Sequence, residues 1–221
     1  MKKHIVFDLD GTLVESLPGI AEGVRRALAS MNRPAPEPQQ VRGMIGQGAK
    51  NLCALALGYP DENAVPADML GQMYRLFCEA YPHCWQGERT QPYEGMPQLL
   101  SRLAQGGARL AVLSNKPHEV TLPMVQQIFS AVPFDPILGF TGQYPRKPAP
   151  DALLAIASQW GVPPSELTLV GDSLYDARTA ANAGCRLVLV DWGYACPAEL
   201  AATGAPLAHS IDELQSLLLN G

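Results

Sequence analysis

The stretch His4-Ile5-Val6-Phe7-Asp8-Leu9-Asp10-Gly11-Thr12 decides how the rest of the chain is read. An apolar run meets an acid, a second acid follows two positions later, and an Asp-Gly turn dipeptide comes next. A short unbroken apolar run suits a strand buried on both faces of a parallel sheet, whereas a half-exposed strand would alternate. The same punctuation recurs down the chain. Leu110-Ala111-Val112-Leu113 stops at Ser114-Asn115, Leu167-Thr168-Leu169-Val170 stops at Gly171-Asp172, and Leu187-Val188-Leu189-Val190 stops at Asp191. Helical stretches at 96–105 and 149–160 precede the second and third runs, the latter with Leu153, Leu154, Ile156, Ala157 and Trp160 at helical spacing. From residue 95 onward helix alternates with strand, which predicts an α/β domain built on an open parallel sheet.

For about eighty residues after Asp8 that rhythm is absent. Ile20, Val24, Ala27, Leu28 and Met31 recur at helical spacing, with Ser16 expected as N-cap and Pro18 in the first turn. Asn51 to Leu57 and Met69 to Tyr81 also read as helices, separated by Pro34-Ala35-Pro36-Glu37-Pro38 and by Tyr59-Pro60. The expectation is an all-helical module, 14–90, inserted into an α/β domain made of 1–13 and 91–221. Within it, Met69, Met73, Leu76 and Phe77 form an apolar stripe expected to be module core.

Composition narrows the function. Hydrophobic residues make up 47% of the 221 and charged residues 17%, enough for a sizeable core and too apolar for disorder. Sixteen basic residues stand against 21 acidic ones, a net charge of −5, so nucleic acid is not an expected partner. No apolar run approaches the roughly 18 residues that cross a bilayer, and the N-terminal run is too short for a signal peptide, so the expected setting is cytoplasmic. The five cysteines include no Cys-x-x-Cys pair, which argues against a disulfide framework or a zinc site.

The chemistry gathers where the strands end. Asp8 and Asp10 follow a buried strand at the carboxyl edge of the sheet, where open α/β sheets bind their ligands. Carboxylates this close call for a cation. Asp172 and Asp176 end another such strand, and an oxygen-rich set of acids suits Mg²⁺. Ser114 and Asn115 bring hydroxyl and amide donors, and Lys147 a point charge in the loop Arg146-Lys147-Pro148-Ala149-Pro150. Acids, a divalent cation, a hydroxyl and a lysine on one edge describe a phosphoryl-transfer site. Lys116 is placed to add charge there, and His118, opening a helix, to stand at the rim. Gly43-Met44-Ile45-Gly46-Gln47-Gly48 is not a dinucleotide fingerprint, since its order is wrong and no buried strand precedes it.

Asp8-Leu9-Asp10-Gly11-Thr12, Ser114, Lys147 and Gly171-Asp172 with Asp176 resemble, in order, the four motifs of the haloacid dehalogenase superfamily. The resemblance spans essentially the whole chain. It implies a Rossmann-like core with a mobile helical cap, matching 14–90. Ile45-Gly46-Gln47-Gly48-Ala49, Ser114-Asn115-Lys116 and Trp192-Gly193-Tyr194 are similar to the phosphoglycolate phosphatases of that superfamily. Glu15 departs from the pattern, because relatives more often carry Asp at this cap hinge.

The resemblance implies that Asp8 is the nucleophile and Asp10 the acid and base. Asp8, Asp172 and the Asp10 carbonyl would hold Mg²⁺, with Asp176 behind them. Thr12, Ser114, the Asn115 amide and Lys147 would hold the phosphoryl group, and Arg42, Gly46 and Lys50 of the cap would meet a small phosphorylated substrate. The expected activity is hydrolysis of a phosphomonoester, 2-phosphoglycolate first. A sugar phosphate, pyrophosphate or a mutase reaction like that of β-phosphoglucomutase are the alternatives. A dehalogenase would have no task for Asp10, and a pure binding protein none for a nucleophile paired with an acid. The sequence leaves the oligomeric state open.

Overall fold

A computed structural model describes residues 3–220. The chain forms two compact units, one comprising the segment up to Val14 and everything from Pro92 onward, the other Glu15–Gln91. In the first unit β1 (His4–Phe7) starts a sheet, and the chain leaves through the short strand β2 (Val14–Glu15). The second unit carries α1 (Leu17–Ser30), α2 (Pro38–Arg42), α3 (Ala49–Ala56) and α4 (Ala67–Ala80). The chain returns through β3 (Gln91–Pro92), which pairs with β2. There follow α5 (Met96–Gln105), β4 (Arg109–Pro117), α6 (His118–Ile128), β5 (Phe134–Phe140) and α7 (Asp151–Trp160). The unit ends with β6 (Leu167–Gly171), α8 (Leu174–Ala183), β7 (Arg186–Val190), α9 (Pro197–Ala201), β8 (Leu207–Ala208) and α10 (Ile211–Asn220).

The six-stranded sheet has the order β5-β4-β1-β6-β7-β8 and its pairs are parallel. Phe7 pairs with Val112 of β4 on one side and with Val170 of β6 on the other. Those two neighbours come from opposite directions of chain winding, so β1 marks the place where the order reverses and a crevice opens at the strand ends. That register also puts Asp8 level with the ends of both neighbours.

Strands β1 and β6 are buried along their whole length because helices cover the sheet. Val6, Ala111, Leu113, Leu167 and Leu169 meet Leu153, Ile156, Ala157 and Trp160 of α7 and Ala180 and Ala183 of α8 in one apolar layer. In the helical unit Met73 and Phe77 of α4 are buried, and Phe77 stacks on Tyr81 at 5.1 Å between ring centroids. Met69 and Leu76, the rest of the stripe, are half-buried.

Two expectations need revision. β4 does not stop at Leu113; it runs on to Pro117, with register shifts, because β5 offers it a partner as far as Phe140. β5 itself, Phe-Asp-Pro-Ile-Leu-Gly-Phe, carries no buried-strand pattern, since it is a partly exposed edge where a proline breaks no ladder. At α1 Ser16 is the N-cap and Pro18 stands in the first turn, as expected, but the side-chain bond to the helix start comes from Glu15, whose Oε1 accepts the Leu17 N–H at 2.8 Å. All five cysteines are free, and Cys196 is exposed. Among the described residues no helix is long and apolar enough to cross a membrane.

Replacing Leu169, fully buried where α7 and α8 meet the sheet, by Ala should destabilise the chain by about 2–5 kcal/mol in urea denaturation. A change under about 0.5 kcal/mol, the size of a surface effect, would mean that this layer is not the principal core.

Candidate active site

The turn after β1 builds the first half of the site. The Asp8 N–H still donates to Val170 O at 2.9 Å, so the ladder holds Asp8 at the strand end. Beyond it Leu9, fully buried, accepts the N–H groups of Thr12, Leu13 and Val14 on its single carbonyl. Gly11, at φ +83°, closes this tight loop. Asp8 and Asp10 therefore leave the sheet edge at fixed positions.

Asp172 and Asp176 complete a buried group with Asp8. One carboxylate oxygen from each lies within 4.8 Å of the others. Lys147 Nζ sits 2.6 Å from Asp176 Oδ1 and 2.9 Å from Asp8 Oδ1, with only 3% of its side chain exposed. Burial alone would discharge this lysine, but the carboxylates of Asp176 and Asp8 hold its pKa above the usual lysine range. The acids feel the opposite pressure. Burial, and then the charge of Asp176, push Asp8 from the ordinary 3.8 up to about 6 against the pull of Lys147. Burial together with Asp8 and Asp176 push Asp172 to about 8. Three carboxylates face one ammonium, which leaves an excess of two negative charges when all are ionised.

A divalent cation would cancel that excess, and the residues fit one. Their donors are hard carboxylate oxygens, as Mg²⁺ and similar ions prefer. Asp8 Oδ1 is buried, with the Lys147 ammonium 2.9 Å away. The remaining oxygens are braced. Asp172 accepts Thr12 Oγ1–H at 3.0 Å on Oδ1 and the Tyr194 N–H at 2.7 Å on Oδ2. A Cβ on Gly11 or on Gly193 would run into this carboxylate, so both positions need glycine for the close approach. Asp176 Oδ2 accepts the Ser173 hydroxyl at 2.5 Å and the Ser173 N–H at 3.2 Å, while Ser173 Oγ caps the Asp176 N–H of α8.

The cation's loop is held as firmly. Asn115 Nδ2 donates to Lys147 O at 3.0 Å, and its Oδ1 accepts the Lys147 N–H at 2.8 Å. Lys116 Nζ contacts both oxygens of Asp10, at 2.9 and 3.0 Å. The Lys116 N–H donates to Ser114 Oγ at 3.3 Å, which sets that hydroxyl beside the pair.

The structure thus brings Asp8, Asp172, Asp176 and Lys147 together and sets Asp10 beside them with Lys116. Several expectations change. Asp176 lies in the acid group itself, in contact with Lys147, rather than behind it. The Asp10 carboxylate lies outside that group and is turned to Lys116, in keeping with an expectation that gave the metal only its main-chain carbonyl. The Thr12 hydroxyl, fully buried, serves Asp172 instead of a phosphoryl oxygen. The Asn115 side-chain amide holds the Lys147 main chain at both its N–H and its carbonyl. His118 Nδ1 accepts the Gly139 N–H at 3.3 Å, so it fastens β5. Arg42, Gly46 and Lys50 belong to Glu15–Gln91, where Arg42 ends α2, Gly46 takes φ +113° and Lys50 Nζ lies 5.6 Å from the centroid of the Tyr74 ring. The braces at Ser173, Gly193 and Tyr194 went unassigned in the sequence, although Ser173-x-x-Asp176 has the spacing of a capping box.

Two outcomes follow for the protein stripped of metal by a chelator. Folded Asp8 and Asp172 bind protons that the unfolded chain has already lost near its ordinary 3.8, so stability falls as pH rises through about 6 and about 8, then levels off. Melting temperature followed from pH 5 to 9 should show this decline, flattened in Asp172→Asn. A divalent cation, which needs ionised ligands, should raise the melting temperature most at the alkaline end. Gly193→Ala, which drives a methyl into Asp172, should abolish most of that rise.

Comparison with known proteins agrees with this geometry. A phosphoglycolate phosphatase from Pseudomonas savastanoi pv. phaseolicola is 33% identical over 99% of this chain and 79% of its own length. One from Chromobacterium violaceum is 32% identical over 99% of this chain and 97% of its own. A crystal structure from Lactobacillus delbrueckii subsp. bulgaricus superposes with a TM-score of 0.86 at 27% identity, covering 100% of both chains. The family model for haloacid dehalogenase-like hydrolases matches residues 5–190, and the chain belongs to that family.

Proposed function

We propose that this hydrolase is a Mg²⁺-dependent phosphatase for small phosphomonoesters, with 2-phosphoglycolate as the favoured substrate, working through an aspartyl-phosphate. The observation that carries the reading is the buried group of Asp8, Asp172, Asp176 and Lys147 at the sheet's carboxyl edge. The full-length relatives named phosphoglycolate phosphatase support the substrate.

Asp8 attacks phosphorus with a carboxylate oxygen while the P–O bond to the leaving group breaks, and Asp10 gives its proton to the departing oxygen. In the second half Asp10 takes a proton from water. The hydroxide so formed attacks the phosphorus of the aspartyl-phosphate and restores the Asp8 carboxylate. Lys147, Ser114 and the Asn115 main chain hold the phosphoryl oxygens. Asp8, Asp172 and the Asp10 carbonyl would hold Mg²⁺, whose charge offsets that of the acids and of the phosphoryl group. Electrostatic stabilisation of this kind is the largest share of phosphoryl-transfer catalysis. The helical unit would act as a cap, with Arg42, Gly46 and Lys50 meeting an anionic leaving portion such as glycolate and closure excluding water. A cytoplasmic setting fits this activity.

Phosphate release from 2-phosphoglycolate, pyrophosphate, glucose phosphates and a phosphosugar acid, with and without Mg²⁺, tests the reading. The expected result is a high kcat/KM for 2-phosphoglycolate, lost without Mg²⁺ and lowered about 10³-fold or more in Asp8→Asn. A broad weak profile would sink the substrate and keep the phosphatase. Activity that survives Asp8→Asn would sink the mechanism.

A further inference from the structure

Lys116 is a buried ammonium to which the reaction above gives no task. Only 5% of its side chain is exposed, and 11% of that of Asp10. Ordering a long lysine side chain in the interior loses much rotamer freedom, so the contact it makes should matter to the chain. Its Nζ meets both Asp10 oxygens, at 2.9 and 3.0 Å. Both contacts come from one ammonium, a point charge facing the two oxygens together, so they fix where the Asp10 carboxyl stands.

The fixation has a reason in the charges nearby. Asp10 stands two residues from Asp8, one of the three grouped acids, and like charges repel a carboxyl that nothing tethers. Lys116 is itself tied at the main chain to Ser114 Oγ. Asp10 is thereby bound to the strand that also carries Ser114 and the Asn115 clamp on Lys147. We infer that Lys116 is a positioning residue that acts through Asp10, holding its carboxyl where the ester oxygen departs and the water arrives. This rests on the acid and base role given to Asp10 above.

The test is a double-mutant cycle on the Mg²⁺-loaded protein with 2-phosphoglycolate and p-nitrophenyl phosphate. Lys116→Met should lower kcat about 100-fold with KM held within about twofold, since a misplaced group loses catalysis rather than binding. Lys116→Arg, which keeps a cation beside Asp10, should retain more of kcat than Lys116→Met. In an Asp10→Asn background, Lys116→Met should add almost nothing, because residues acting as a unit are not additive. Should Lys116→Met not fold, Lys116→Gln, set against Lys116→Arg in the same cycle, decides. A raised KM with kcat kept, or losses that add, would show Lys116 binding substrate directly and overturn the inference. A wild-type kcat in Lys116→Met beside a crippled Asp10→Asn would overturn it alone. A wild-type kcat in Asp10→Asn would remove the proposed acid and base, and this inference with it.

Discussion

Three carboxylates buried against a single ammonium are the constraint on which the rest of this structure turns. Such a group repels itself, and charges taken from water lose hydration that their mutual contacts must replace. Around Asp8, Asp172 and Asp176 every neighbouring element answers that problem. β1 and β6 lock the first acid to the sheet edge, Thr12 and Tyr194 brace the second, and Ser173 braces the third. Lys147 is drawn in as partial neutralisation, and two negative charges remain for a divalent cation.

The parallel sheet makes the crowding possible. With β1 paired to β4 and to β6 in matched register, three strand ends deliver their side chains to one level. Helices over the sheet keep water from its strands, so the local dielectric is low where the charges meet. The same low dielectric lets a few fixed donors act strongly on a phosphoryl group.

Much of this was legible in the sequence, and the reason differs by element. β1, β6 and β7 announced themselves because strands covered on both sides must be apolar without a break. β5 did not, because an edge strand with Asp135, Pro136 and Gly139 obeys no such rule. The acids could be read from their places after buried runs. Which group holds which could not. Asn115 and Lys147 are 32 residues apart, Lys116 and Asp10 are 106, and Thr12 and Asp172 are 160. Such pairings depend on strand order, and spacing along a chain carries no record of it. Thr12 and Asn115 were accordingly read as ligand contacts, when their side chains serve the protein itself.

Asp176 has two employments that cannot be separated. It closes the first turn of α8 through Ser173, and the same carboxylate anchors the Lys147 ammonium. Fraying of a helix end is ordinarily a harmless, low-energy event that leaves the rest of a protein intact. Here an open first turn also takes away one of the two carboxylates that hold the lysine. The Lys147–Asp176 contact is therefore tied to the opening equilibrium of one helical turn, a local property that a global melting curve does not report.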